Sequence, residues 1–174
     1  MDEFAPDVPI QFGYLAVEGA SARPVEQLVS GERLLEAIRG RYSIEHPLVR
    51  WACRLAALHR SRRSKPVRRC GEICRERKGL IREIDTWIEH RMPQHRYGCT
   101  LHTETLGQVI DRIASTYVHA DHLLRTLEAV DDPRIHLAWT RLAELIGGYN
   151  DLAQEVARGH RRLPIVNGDA WCDR

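Results

Sequence analysis

Residues 102–130 have the sequence HTETLGQVIDRIASTYVHADHLLRTLEAV. From residue 104 onward the apolar side chains recur every three or four positions, so they cover about a third of a helix circumference. Thr105, followed three residues later by Gln108, fits a capping box in which each side chain satisfies a backbone N–H of the first turn. The stretch therefore predicts a long amphipathic helix over residues 104–130.

Helical periodicity also continues on both sides of this stretch. The dipeptide Asp132-Pro133 offers an N-cap followed by a first-turn proline, and Pro47 suits a first turn equally well. Gly40 and Gly159 suit helix ends. The sequence thus predicts four further helices, over residues 24–39, from 47 to about 59, from about 70 to 91, and from 133 to 158.

No segment alternates apolar and polar residues between turn signals, so no β-sheet is expected. The predicted fold class is all-α, an antiparallel bundle of about five helices joined by short loops. Residues 1–23 are predicted to form an irregular arm, 24–164 a single bundle domain, and 165–174 a tail.

Composition narrows the class of protein. The 174 residues are 43% apolar and 29% charged, which is ordinary for a globular domain, and no apolar run is long enough to span a membrane. Asp2 and Glu3 stand where a secretory signal would be basic, so we expect a cytoplasmic protein. Among the 26 basic residues only Lys65 and Lys78 are lysines. This arginine excess is typical of a GC-rich genome, although it also suits bidentate recognition.

The five cysteines are an odd number and lack the density of a disulfide scaffold, so reduced thiols are expected. Cys70, Cys74, Cys99 and His102 have a spacing that suggests zinc, but a continuous helix after Cys74 would separate the two halves by about 27 Å. His119 and His122, three residues apart, lack an obvious third ligand on their own helix. We therefore expect neither a metal nor another cofactor.

Several polar side chains share one face of the predicted helix over 104–130, opposite its apolar stripe. They are Glu104, Gln108, Asp111, Ser115 and His122, with His119 at the margin. Such a face is either solvated or a second contact face, lining a pocket or a dimer interface. Asp111 lies too far from the helix start for the macrodipole to explain it. We therefore expect it to serve a site, and its exchange for Asn to leave stability nearly unchanged.

Three more features carry predictions. Asp85 and Arg112 lie at the edges of neighbouring apolar stripes, so we expect them to form an ion pair between helices. Tyr149 falls on an apolar stripe, so its hydroxyl needs a partner inside the bundle. The adjacent Gly147 and Gly148 predict either a kink or the close approach of another backbone.

Residues 60–82 hold ten basic side chains but only Glu72 and Glu76 as acids. This density favours either a solvated basic segment or a surface that binds phosphates. No aromatic side chain lies in the run to stack on bases, so we expect weak and non-specific binding to nucleic acid or another polyanion.

The chain resembles the actinobacterial branch of the family known as domain of unknown function 4254. The resemblance covers roughly residues 32–164, and its most specific element is TETxGxxxDR over residues 103–112. It implies a small all-helical protein and no particular reaction. The residues that match its motifs are His59, Asp85, Trp87, His102, Thr103, Glu104, Thr105, Gly107, Asp111, Arg112, Trp139, Tyr149 and Asp151.

Three function classes remain open from the sequence. The first is a small-molecule-binding bundle or enzyme, with its site at the mouth between the third and fourth helices. Its catalytic candidates are His102, Glu104, Asp111 and Arg112, and its ligand-binding candidates are Asp85 and Tyr149. The second is a polyanion-binding module that uses Arg62, Arg63, Arg68 and Arg69. The third is an interaction protein that forms a homodimer through the polar face.

Overall fold

The computed structural model describes residues 28–41, 45–64, 70–92, 95–127 and 131–165. Within these ranges the chain forms five helices and two short strands, which confirms the all-α fold class. In chain order the elements are α1 (Gly31–Ile38), α2 (Pro47–Ser64), α3 (Cys70–Glu89), β1 (Thr100–Leu101), α4 (Leu106–Thr126), α5 (Pro133–Ala157) and β2 (Arg161–Arg162). The predicted arm over 1–23 lies outside the described residues, as does all but the first residue of the predicted tail.

The predicted capping signals are confirmed at both long helices. Thr105 is the N-cap of α4, its hydroxyl accepts from the Gln108 N–H, and the Gln108 side chain accepts from the Thr105 N–H at 2.9 Å. Asp132 caps α5 by accepting from the Arg134 N–H, with Pro133 as the first helical residue. Gly40 and Gly159 follow the last turns of α1 and α5 with positive φ, as expected of helix ends.

The start of α1 differs from the prediction. Residues 28–30 are not helical, and the helix begins at Gly31 behind the N-cap Ser30, whereas residues 24–27 lie outside the described part. Gly31 donates its N–H to the Asn150 side chain at 2.8 Å, and a Cβ there would lie 3.0 Å from the Ile146 side chain. The beginning of α1 is thus fixed by the Ser30 cap together with packing on α5, and only the cap is a local sequence signal.

α4 is the central helix of the bundle, because it packs against α1, α2, α3 and α5. Its buried side extends beyond the predicted stripe to include Gly107, Ala114 and Val118. The core residues of α4 therefore contact several neighbouring helices at once. Some of its polar residues are partly buried, whereas others are exposed. Leu124, which was predicted as part of the stripe, is exposed.

The expectation that no sheet forms is wrong in one place. β1 and β2 pair in parallel, with Thr100 opposite Arg161 and Leu101 opposite Arg162. The His102 N–H extends this pairing by donating to the Arg162 carbonyl at 2.7 Å. Strands of two residues have no alternation to detect, so the sequence pattern could not predict them. The pairing ties the segment before α4 to the segment after α5.

Candidate functional site

The motif at the start of α4 is anchored to α3 through Asp85. The Asp85 carboxylate accepts from the Gly107 N–H at 2.8 Å, inside the first turn of α4. A Cβ at residue 107 would lie 2.7 Å from both the Asp85 carboxylate and the Ile81 carbonyl, so only glycine lets the two helices approach this closely. Burial raises the pKa of the Asp85 carboxyl to about 6, although the hydrogen bonds from Thr105 and Gly107 lower it.

The predicted ion pair between Asp85 and Arg112 is wrong. Asp85 is occupied by the backbone of α4, and Arg112 instead pairs with Glu104, which precedes the helix by two residues. The His102 imidazole lies against the Glu104 backbone, with its Nδ1 atom 2.8 Å from the Glu104 carbonyl oxygen. His102, Glu104 and Arg112 are thus brought together beside the N-terminal end of α4.

These three residues line a cleft between α4 and α5 with a volume of about 910 Å³. The apolar residues that line the cleft include Val109, Leu123, Leu137, Leu145, Tyr149 and Leu152, of which Tyr149 is fully buried and Leu137 is half exposed. Its basic and imidazole side chains are His102, Arg112, His119, Arg134 and Arg141, whereas its acids are Glu104 and Glu144. The cleft thus combines apolar side chains with three arginines, two histidines and two glutamates.

The three arginines of the cleft are not equivalent. Arg112 pairs with Glu104, and Arg134 makes a forked contact with the Asp132 carboxylate. Arg141 is exposed and forms no ion pair with another described residue. Burial lowers the pKa of His119, and the charges of Arg63, His122 and Arg141 lower it further. Sequence reasoning missed Arg141 because it belongs to no motif.

Asp111 does not lie in this cleft. Its carboxylate accepts at 2.8 Å from His59 Nε2 in α2 and lies 3.5 Å from Arg77 Nε in α3. Only 14% of the Asp111 side chain and 8% of the His59 side chain are exposed. The solvated alternative for this polar face is therefore wrong at Asp111, because α2 and α3 cover that side of α4. The residues of the predicted site between α3 and α4 therefore lie in two places. Asp111 lies between α2, α3 and α4, whereas His102, Glu104 and Arg112 line the cleft.

His59 is the functional candidate that sequence reasoning missed at this position, although it is one of the residues that carry the family resemblance. It also lines a separate cavity of about 320 Å³ between α2 and α4. Arg77, its neighbour across Asp111, gave no signal in the sequence. Its Nε atom is buried and has no hydrogen-bond partner within the described chain.

The two ligand-binding candidates also lie apart. Tyr149 is fully buried and its hydroxyl donates to the Val29 carbonyl at 2.9 Å, which confirms that it has a partner inside the bundle. Burial raises the pKa of this hydroxyl well above its usual range. Asp85 instead lines a cavity of about 500 Å³ that it shares with Arg161 and Arg162.

Gly147 and Gly148 lie inside an uninterrupted α5. A Cβ at either position would meet nothing within 4 Å, so the expected close approach of another backbone is not found within the described chain. Gly148 lines the cleft and Gly147 does not.

Of the predicted polyanion-binding residues, Arg62 and Arg63 lie exposed in the last turn of α2. Arg68 and Arg69 lie outside the described residues. Cys53, Cys70, Cys74 and Cys99 are free thiols, and Cys172 lies outside the described part. Within the described residues no group of three or more His, Cys, Asp or Glu side chains is placed to hold a metal ion. None of the described helices is both long and apolar enough to cross a membrane.

Comparison with known proteins gives one positive finding. The model of the family described as "Protein of unknown function (DUF4254)" matches residues 53–165, well over half of the chain. The chain belongs to this family. The DUF4254 region begins within α2, so it includes His59, Asp85, the motif of α4 and Tyr149 but leaves α1 outside. No curated protein and no solved structure matches the chain significantly.

The structure accounts for several residues of the DUF4254 resemblance individually. Thr105 caps α4, Gly107 admits the Asp85 carboxylate, and Asp111 joins α4 to His59. Glu104 and Arg112 pair at the cleft. The motif therefore serves two purposes, since part of it holds three helices together and part of it lines the cleft.

Proposed function

We propose that the cleft between α4 and α5 binds an anionic small molecule that has an apolar part, and that the protein is a ligand-binding helical bundle. The observation that carries this proposal is Arg141, a cationic side chain without an ion pair in the described chain, in a cleft that is otherwise lined in large part by apolar residues. The cleft volume of about 910 Å³ falls in the range of small-molecule pockets, roughly 300–1,000 Å³.

The chemistry of the cleft supports this class of ligand. A guanidinium presents a planar fork of donors that matches a carboxylate, sulfonate or phosphate, and such charge-assisted hydrogen bonds are strong. The leucine and valine side chains that line the cleft favour an aliphatic or aromatic group, because burying apolar surface contributes about 25 cal/mol per Å². Arg112 and Arg134 already have carboxylate partners, so Arg141 is the arginine we assign to the ligand.

The first experiment is a fluorescence titration with 8-anilinonaphthalene-1-sulfonate, which has an aromatic body and one sulfonate. We expect saturable binding to the folded protein, and Arg141→Gln should weaken it about tenfold, or roughly 1.4 kcal/mol. Arg158→Gln is the matched control. Arg158, the C-cap of α5, is exposed like Arg141 but does not line the cleft. Equal weakening in both variants, or no saturable binding, would contradict the proposal.

A pair of adjacent glycines gives a second test. Gly148 lines the cleft, whereas Gly147 does not, and both have open space at Cβ. Gly148→Leu should therefore block the probe, while Gly147→Leu should leave its affinity unchanged. Leucine is a better helix former than glycine, so both variants should fold. Loss of binding in both, or in neither, would remove the cleft as the binding site.

Other predictions from the sequence remain to be tested. Catalysis by His102, Glu104, Asp111 or Arg112 stays a prediction, as do the actinobacterial origin, the cytoplasmic location and weak polyanion binding. The arginine excess supports the actinobacterial origin. A homodimer through the polar face of α4 also stays a prediction.

A further inference from the structure

A second, smaller cavity lies where the last turns of α2 meet the middle of α4. Its volume is about 320 Å³, and its lining residues are His59, Arg62, Arg63, Ser115, Val118 and His119. Two arginines, two histidines and a serine thus line a single space. No acidic side chain of the described residues lines it.

The two arginines of this cavity have no counterion among the described residues, whereas His59 pairs with Asp111. Neither Arg62 nor Arg63 forms an ion pair with another described residue. Arg63 is close enough to His119 for its charge to lower the pKa of that imidazole, although burial lowers it more. Cations in the last turn of a helix stabilise its negative end by roughly 0.3–1 kcal/mol. This effect accounts for Arg62 and Arg63, but not for the histidines of two helices that line the same space.

His59 is held in a fixed orientation at the wall of the cavity. Its Nε2 atom lies 2.8 Å from the Asp111 carboxylate, and the Asp111 carboxylate is also 3.5 Å from the Arg77 guanidinium. In the imidazolium form, Nε2–H donates to Asp111 and the second ring N–H remains available to another acceptor. The carboxylate fixes the orientation of the imidazole, which becomes a pre-organised donor when both ring nitrogens carry a proton. This distinguishes the cavity from a cluster of surface arginines.

We propose that this cavity binds a tetrahedral oxyanion, either inorganic phosphate or the phosphoryl group of a small phosphomonoester. Arg62 and Arg63 would supply forked donors, Ser115 a hydroxyl, and His59 the oriented imidazole. Phosphate oxygens accept several hydrogen bonds at once, so they suit such a convergent set of donors. The cavity is separate from the proposed ligand cleft, although Ser115 and His119 line both.

The test is isothermal titration calorimetry of the full chain with inorganic phosphate in a low-salt buffer without phosphate or sulfate. We expect one site per chain, and Arg62→Gln combined with Arg63→Gln should weaken it at least about tenfold. The matched control is Arg75→Gln combined with Arg82→Gln, which removes two exposed charges from α3. His59→Gln is a second variant with the same expected loss, and its folding is checked by circular dichroism.

The outcomes separate the alternatives. Tighter binding of phenyl phosphate than of phosphate supports a phosphomonoester, and equal or weaker binding supports the free ion. Equal weakening in the α3 control would overturn the proposal, because the effect would then be one of net charge alone. Binding of a single-stranded oligonucleotide without binding of phosphate would also overturn it. The cleft probe should bind the Arg62/Arg63 variant normally, so failure here is distinguishable from failure of the cleft.

Discussion

Asp111 is the residue at which three helices meet. Its carboxylate joins α4 to His59 of α2 and Arg77 of α3, and it is largely buried. We therefore no longer expect Asp111→Asn to leave the stability of the protein unchanged. Asparagine keeps the shape but removes the charge that both basic partners face, so we expect the free energy of unfolding in urea to fall by about 2 kcal/mol.

Asp121 provides the matched control for that prediction. It lies on the same helix and also pairs with an arginine, but its partner Arg125 is 74% exposed. Exposed ion pairs contribute about 1 kcal/mol or less, so Asp121→Asn should have the smaller effect. Equal losses for the two variants would show that Asp111 has no special structural role.

Asp85 should make the stability of the protein depend on pH. Burial raises the pKa of its carboxyl in the folded protein from 3.8 to about 6. Near pH 5 the folded chain therefore holds a proton that the unfolded chain has lost. The contribution of Asp85 is complete below about pH 3.8 and is lost as the pH rises through about 6, a change of at most about 3 kcal/mol.

Comparison with Asp85→Asn isolates this effect, because the amide oxygen can still accept from the Gly107 N–H. The free energy of unfolding of the wild type, minus that of the variant, should decline between pH 4 and pH 7 in urea titrations. A difference that is constant or that increases with pH would contradict the assignment.

At the level of elements, the approach of α3 to α4 depends on Gly107. An alanine Cβ there would lie 2.7 Å from the Ile81 carbonyl, a backbone atom that can move only with its helix. Gly107→Ala should therefore lower the free energy of unfolding by about 2 kcal/mol or more, as overpacking does. In contrast, Gly79→Ala should stabilise α3 by about 0.5–1 kcal/mol, because nothing lies within 4 Å of its Cβ position. Thermal denaturation that ranks the two variants in the opposite order would refute this account.

The helices show which signals a sequence carries locally. The capping box at Thr105 and the Asp132-Pro133 start were predictable, because each uses atoms within three residues of the helix start. The start of α1 was predictable only in part, since the Ser30 cap is local but Gly31 is also fixed by Asn150 and Ile146 of α5. The pairing of β1 with β2 could not be predicted from the sequence pattern, because it joins segments about sixty residues apart.

For the whole molecule, the all-α class followed from periodicity, but the distribution of the polar residues did not. A helical wheel assigns one buried face, whereas α4 is surrounded by four helices. The wheel therefore left open whether Asp111 lies in solvent or on a second contact face, and α2 and α3 in fact cover it. The residues of α4 and its N-terminal segment that line the cleft could be predicted in part, at His102, Glu104, Arg112, Ser115 and His119. Arg141 could not, since its position depends on how α5 packs.

The claim that the cleft between α4 and α5 is the ligand site is tested most directly by nuclear magnetic resonance. Backbone amide shifts of the ¹⁵N-labelled protein would be recorded during titration with 8-anilinonaphthalene-1-sulfonate. We predict that the largest saturable shifts come from both walls of the cleft, residues 109–123 and 134–152, with smaller shifts in α3. Shifts that cluster in α3, or that spread evenly over the bundle, would contradict the account.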